Sequence, residues 1–335
     1  MEILSKVHAR NLVAWAADKP EVLVLSADLT SSTEIDLFRS AYPDRFFSMG
    51  MAEQNMMSFA GGLAREGMFP FVHTFAVFIY RRAYDQIADS IAYPRVPVRM
   101  FGFLPGVTTP GGATHQAIED LSVMRALPNM TVVEVGDATD VETLLDPIQA
   151  VEGPVYVRML RGEIPRLFPA DEPFQLGRAR TLQRGDDLTL LSSGICTEEA
   201  LRAAAALKSR GVSIEHLHVS TLKPFDDPAV AEAVGKARKG VITMENHTIL
   251  GGLGTATAEL MATLGVGRPL VRIGIRDEFL HGASRPYLMK EYGLDAPALV
   301  NAVEGLLGED LGIDETDLAA VRLENVHSAA KAEAL

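Results

Sequence analysis

A chain of 335 residues, 47% hydrophobic and 22% charged, has room for two ordinary domains and the composition of a soluble globular protein. Its formal net charge of −13 argues against nucleic acid or an anionic membrane as the main partner. No apolar run approaches the ~18 residues of a membrane span, residues 1–6 lack the apolar core of a signal peptide, and the single Cys196 rules out an internal disulfide, which fits a cytoplasmic protein.

Residues 2–18 read as a helix, with Leu4, Val7, Leu12, Trp15 and Ala16 near helical spacing. After Pro20, the apolar run Val22-Leu23-Val24-Leu25 suits a strand of a parallel sheet buried on both faces. It ends in a polar loop from Ser26 to Thr33, rich in helix-capping residues. A helix at about 34–41 follows, and then Phe46-Phe47-Ser48-Met49-Gly50-Met51-Ala52-Glu53-Gln54, a short strand, a loop and the start of a helix that carries Met56, Met57 and Ala60 on its apolar side. Glu53 is a single carboxylate among methionines and aromatics, where a charge is costly without compensation. By itself it reads first as a helix-start carboxylate favoured by the helix dipole. A strand at 69–72 leads through 74–78 into a helix ending at Ile91. A buried strand at 96–103, a long loop at 104–116, a helix at 117–126, a strand at 131–134, a helix at 139–150 and a strand at 155–158 complete the first unit. Strand and helix alternate throughout with short connections, the pattern of a doubly wound α/β domain over residues 1–165. Residues 166–185, with Pro169 and Pro173 and no clear period, read as a linker. A smaller α/β domain follows over 186–310, with strands at 188–191, 214–219, 240–244 and 270–275 and helices at about 196–209, 228–238, 253–264 and 295–307. Residues 311–335, acidic and then alanine-rich, read as a mobile tail.

Ligands of open α/β sheets sit at the carboxyl ends of strands. Four polar sites of the first domain fall there: Asp28, Glu53, the segment 74–78 and the loop holding His115. Phe75 and Phe78 share a face at helical spacing, which serves core packing or an aromatic wall for a flat heterocycle. His115 follows Gly111-Gly112-Ala113-Thr114 on a 13-residue loop, a length that tends to be functional. Arg81, Arg82, Arg158 and Arg161 are candidates for an anion site, since a guanidinium fits phosphate bidentately. Arg158 is the best placed, at a strand end, whereas Arg82 reads as readily as a surface residue. The run Gly251-Gly252-Leu253-Gly254 fits a dinucleotide fingerprint imperfectly and reads as close helix–strand packing. Gly136-Asp137 and Gly185-Asp186 lack the asparagine that a metal–diphosphate motif would place about one helix later.

Taken together, Ser26-Ala27-Asp28-Leu29-Thr30, Gly50-Met51-Ala52-Glu53-Gln54, Thr74-Phe75 with Phe78, and Thr114-His115-Gln116 resemble the C-terminal half of transketolase in order and spacing. Arg82-Ala83-Tyr84-Asp85-Gln86 is closer to the related deoxyxylulose-phosphate synthase. The resemblance covers about residues 1–308 and implies a thiamine-diphosphate pyrimidine-binding domain followed by the transketolase C-terminal domain. It further implies the C-terminal subunit of a split transketolase. The cofactor would be thiamine diphosphate, shared with an N-terminal subunit that carries the diphosphate site and its Mg2+ or Ca2+. Two copies of each subunit would form an α2β2 assembly acting on sugar phosphates.

By the same resemblance, Glu53 hydrogen-bonds the ring nitrogen of the aminopyrimidine and promotes removal of the thiazolium proton, so that a two-carbon unit passes from a ketose to an aldose. Asp28, Met51, Phe75 and Phe78 would contact the cofactor. His115 would hold the donor sugar near its reacting end, and Ser32, Arg81 and Arg158 would serve the substrate. Three positions depart from ordinary transketolases. Gly111 replaces an Asp that binds a sugar hydroxyl, Phe103 a phosphate-binding His, and Arg81 a third pocket aromatic. The donor therefore does not follow from the resemblance, and another anionic ketose is open. The β subunit of a 2-oxo-acid dehydrogenase E1, with the same architecture and Glu, and a non-catalytic homologue are the competing readings.

Overall fold

The computed structural model describes residues 2–320. The chain opens with β1 (Ile3–Ser5) and α1 (Val7–Trp15), then β2 (Val22–Ser26), α2 (Asp36–Ala41), β3 (Phe46–Ser48), α3 (Glu53–Arg65), β4 (Phe69–Phe75) and α4 (Ala76–Gln86). Next come β5 (Arg99–Phe103), α5 (Asp120–Ala126), β6 (Thr131–Glu134), α6 (Ala138–Thr143), α7 (Leu145–Gln149), β7 (Val155–Met159) and β8 (Glu163–Pro165). The second half holds β9 (Arg180–Gln183), β10 (Leu188–Ser192), α8 (Cys196–Ser209), β11 (Ile214–His218), β12 (Thr221–Lys223), α9 (Pro228–Lys236) and β13 (Gly240–Thr248). It closes with α10 (Leu253–Leu264), β14 (Leu270–Ile275), α11 (Arg285–Glu291), α12 (Ala296–Leu307) and α13 (Glu315–Ala320).

Two sheets carry the molecule. The larger has the strand order β12-β6-β7-β5-β4-β2-β3, parallel except for β12. Every residue of β2, β5, β6 and β7 is buried, because helices cover both faces; the strands are mostly apolar without alternation, and Arg99, Glu134 and Arg158 are hydrogen-bonded inside. The smaller sheet runs β14-β13-β10-β11-β9, parallel except for the edge strand β9. Asp28, Glu53, Phe75, the His115 loop and Arg161 all follow the carboxyl ends of strands of the larger sheet, where open α/β sheets bind ligands.

Several boundaries differ from the sequence reading. The helix expected over 2–18 begins only at Val7. Lys6 takes φ 49, and Ile3–Ser5 pairs antiparallel with Glu163–Pro165 as a separate ribbon. The helix expected over 139–150 is two short helices. Pro147, in the second, has no amide hydrogen to give to Thr143. The helix expected from 117 begins at Asp120, since Ala117 pairs with Pro105 instead. The stretch read as a linker contains β9, which borders the smaller sheet. In the other direction, β12 from the second half of the chain joins the larger sheet beside β6. Part of the tail read as mobile, residues 315–320, is helix α13, with Leu318 buried in the smaller domain's core. Leu311 and Ile313 pack against the same core, and residues 321–335 lie outside the described residues.

Candidate active site

Glu53 is the first residue of α3, and its side chain is 3% exposed. A buried carboxylate needs a partner, and it has one: Arg82 Nη1 donates to Glu53 Oε1 at 2.7 Å. The same guanidinium lies 3.7 Å from the centroid of the Phe78 ring. Phe78 stacks on Phe75 with centroids 5.7 Å apart and meets His115 edge-on at 5.4 Å. Glu53, Phe75, Phe78 and His115 therefore form one constellation, built from three strand-end segments. The charged partner within it is Arg82, which the sequence offered as either an anion-site residue or a surface residue.

The loop that carries His115 is braced from both domains. Asn246, at the end of β13, accepts from Val107 N at 2.9 Å and donates to Pro105 O at 3.0 Å. Gly106 has φ 54, and a Cβ there would lie 2.1 Å from the Asn246 side-chain oxygen, so glycine permits the clasp. Gln116 Nε2 donates to His281 O at 3.2 Å, again across the domains. Arg81 reaches the loop from α4, donating from Nη1 to Ala113 O at 2.9 Å and from Nε and Nη2 to Glu119 at 2.7 and 2.8 Å. Thr114 Oγ1 lies 2.9 Å from His115 Nδ1 and fixes the ring. At Gly111 a Cβ would meet His115 Cβ at 2.8 Å, so a side chain here would collide with His115 itself. The departure at this position is thus a packing requirement of the loop. Phe103 is fully buried against His8 and His73 and belongs to the core of the sheet.

The substrate-binding arginines need correction. Arg158 is fully buried and engaged through all three nitrogens: Nε and Nη2 bond Asp120 at 2.8 and 3.0 Å, Nη1 bonds Glu134 at 2.5 Å, and Nη2 bonds the carbonyls of Ala117 and Asn246. Tyr156 adds a 2.6 Å bond to Asp120. This cluster ties the two domains together, and its full burial keeps the guanidinium away from a substrate. Arg81 likewise spends its guanidinium on the loop. Arg161, at the mouth of the strand end, donates to Ser32 O at 2.9 Å and so joins the loop after β2. Asp28 is exposed at φ 61, and Met51 is 79% exposed at the edge of the same site. Sequence reading missed Asp120, Glu134 and Asn246, and it offered Arg82 as an anion-site or surface residue rather than as the partner of Glu53. Only Arg82 carried a local signal, since it stands one helical turn after Phe78.

Gly252 and Gly254 serve Glu245, whose oxygens accept from Leu253 N and Gly254 N at 2.7 and 2.8 Å. A Cβ on Gly252 would lie 2.0 Å from that carboxylate, so the glycine run is close packing with its helix end already filled. Among the described residues, no group of three or more His, Cys, Asp or Glu is arranged to hold a metal ion.

The transketolase pyrimidine-binding domain matches residues 4–166, and the transketolase C-terminal domain matches 177–299. A transketolase C-terminal section from Methanocaldococcus jannaschii is 37% identical over 90% of this chain and 95% of its own length. The chain belongs to the transketolase family. The 6-deoxy-6-sulfo-D-fructose transketolase subunit SqwH of Clostridium sp. is 39% identical over 87% of this chain and 90% of its own. A solved structure described as a split gene transketolase, inactive beta4 tetramer, superposes with TM-score 0.81 at 39% identity, covering 90% of this chain and 97% of that one. The transketolase of Campylobacter jejuni shares the fold at TM-score 0.76, but this chain spans only 47% of it. No helix among the described residues is long and apolar enough to cross a membrane.

Proposed function

We propose that this transketolase-family chain is the C-terminal subunit of a split, thiamine-diphosphate-dependent transketolase that moves a two-carbon ketol unit from a ketose phosphate to an aldose. The observation that carries the reading is the constellation of Glu53, Phe78 and His115 at the carboxyl edge of the larger sheet. The residues fit the aminopyrimidine of the cofactor. A planar, delocalised group already lies 3.7 Å over the Phe78 ring while donating a hydrogen bond to Glu53, the two contacts such a ring would make. The bound cofactor supplies the carbon–carbon bond chemistry. The chain's residues orient it and manage protons.

In this reading Glu53 shares a proton with the pyrimidine ring nitrogen, from a site dry enough to make that contact strong. Phe75 and Phe78 hold the ring's plane. Asp28 and Met51 border the cofactor where the partner subunit closes over it. His115, oriented by Thr114, hydrogen-bonds the donor sugar near its reacting carbon. Ser32 and Arg161 stand where the anionic end of the substrate would lie, and Arg161 takes the place first given to Arg158. The Mg2+ or Ca2+ and the diphosphate belong to the N-terminal subunit, in a cytoplasmic α2β2 assembly. Similarity to a sulfofructose transketolase subunit widens the donor class to ketoses ending in phosphate or sulfonate.

The test is reconstitution with a diphosphate-binding transketolase subunit, followed by a coupled screen of ketose phosphates and sulfonates. Ketol transfer by the pair, and by neither chain alone, is the expected result. Decarboxylation of pyruvate or branched oxo acids without ketose cleavage would instead establish the E1 β-subunit reading. Tight binding of thiamine diphosphate and Mg2+ by this chain alone would refute a shared site.

A further inference from the structure

Arg81 and Arg82 are neighbours on α4 with opposite fates. Arg81 is held by Glu119 and by loop carbonyls. The one hydrogen bond that Arg82 makes among the described residues goes to Glu53, at 2.7 Å, and its side chain is 45% exposed. Its guanidinium sits 3.7 Å above Phe78, the thickness of a stacked aromatic ring. The helix is interrupted immediately afterwards, where Ala83 takes φ −136 and ψ 24. Arg82 thus holds the two surfaces that a flat heterocycle on this site must use, the acceptor oxygen of Glu53 and the face of Phe78. A guanidinium and a pyrimidine cannot both lie on that face and both reach that oxygen.

We propose that Arg82 is a displaceable occupant of the pyrimidine slot, and that the aminopyrimidine of the cofactor binds by taking both Glu53 and the face of Phe78 from its guanidinium. This rests on the subunit reading above. Until the cofactor arrives, Arg82 keeps a carboxylate compensated that would otherwise be buried alone, so it stabilises the empty slot and opposes loading. Its exposure gives it a path into solvent at the mouth of the site. Arg82 is a positioning residue: it acts on the cofactor through Glu53 and Phe78 and takes no part in bond making.

The experiment uses the full chain reconstituted with the diphosphate-binding subunit, with thiamine diphosphate as the probe. In the wild-type complex, the Nε–Hε resonance of Arg82 moves from a position shifted by the Phe78 ring to a solvent-like one on saturation. Arg82→Met, which keeps the apolar stem but cannot pair, binds the cofactor about fivefold more tightly by calorimetry. The figure is the size of a charge-assisted bond discounted for an exposed partner. Arg82→Lys, with charge but no planar face, falls between the two. In a Glu53→Gln background the Arg82→Met gain shrinks. An Arg82 resonance unmoved at saturation, or an Arg82→Met complex that binds no more tightly than wild type, would overturn the proposal. The resonance test needs no variant, so a poorly folded mutant does not shield the idea. A wild-type complex that binds no thiamine diphosphate would refute the subunit reading, and the inference with it.

Discussion

Arg158→Met should destabilise the protein severely and leave anion recognition untouched. The side chain is fully buried and donates to Asp120 through Nε and Nη2 and to Glu134 through Nη1, with further bonds to the carbonyls of Ala117 and Asn246. Methionine fills much of the volume but none of the bonds, so two carboxylates remain buried without their cation. Removing one partner of a buried pair costs roughly 3–5 kcal/mol, and about 4 kcal/mol is a fair figure here. At about 2.1 cal/mol/K per residue, spread over the unit of residues 4–166, that is a fall of roughly 10 °C in the unfolding midpoint. The assay is thermal unfolding of the isolated chain by circular dichroism, repeated for Arg158→Met with Asp120→Asn. The double variant should recover part of the loss, because it removes one of the abandoned charges. A single variant as stable as wild type, with a raised KM for sugar phosphates in the assembled enzyme, would refute this account and restore Arg158 as a substrate ligand.

Glu53→Gln in the assembled complex should lower kcat by roughly 10²- to 10⁴-fold, since an amide cannot exchange a proton with the ring nitrogen. Unchanged turnover would remove Glu53 from the mechanism. Arg81→Met releases the His115 loop from α4 and should raise KM for the donor about tenfold with little effect on the global midpoint; an unaltered KM would show that Asn246 and Gln116 hold the loop without it. Stability should fall with acid. Burial lowers the protonation of His8 and His216 to about 3 and of His247 to about 4, and holds His73 well below its usual value. The unfolded chain takes up these protons below pH 6.5 and the folded chain does not, so each group costs about 1.4 kcal/mol per pH unit as pH falls. Asp137 and Glu245, raised by burial to about 6 and about 7, work the other way. Glu34 and Asp295, raised by burial to a lesser degree, join the carboxylate side; the four histidines carry the larger shifts between pH 6.5 and 5, and a denaturation midpoint that rises over that interval would contradict the balance.

The fold was largely legible in the sequence because its strands are short, mostly apolar runs without alternation, and such runs have few homes except a sheet covered on both faces. The places where the reading slipped share a cause. At Lys6 a left-handed residue ends a helical pattern that hydrophobic spacing alone would continue. At β9 and β12, short segments owe their strand character to a partner far away in sequence, His216–His218 in one case and Val132–Val133 in the other. No local pattern reports such a partner. The site divides in the same way. Glu53, Phe75, Phe78 and His115 were legible because each lies at a strand end and each is chemically conspicuous. Arg158 was misjudged because position along the strand was visible and the direction of the side chain was not. The residue lies within β7, bonded to Asp120, and the strand-end guanidinium is Arg161, two residues past Met159.

The same blindness hid the role of the second domain. From the sequence it is an appendage to the site, since no candidate residue lies in it. In the structure it determines where His115 stands. Asn246 clasps the loop at Gly106 and Val107, His281 O anchors Gln116, and Arg158 reaches Asn246 O from the larger sheet, so the loop is held between two domains that are bonded to each other. A loop of this length would otherwise sample many conformations. Sugar-binding geometry within about 1 Å is worth orders of magnitude in rate. It follows that Asn246→Ala, far from any reacting atom, should weaken donor binding while leaving cofactor affinity near the wild-type value, because Glu53 and Phe78 sit on α3 and α4 and make no bond to it. Measuring both constants in the same reconstituted complex separates the alternatives. A parallel loss of cofactor affinity would mean that the domains move as one body around the whole site, and that the second domain positions the pyrimidine as well as the sugar.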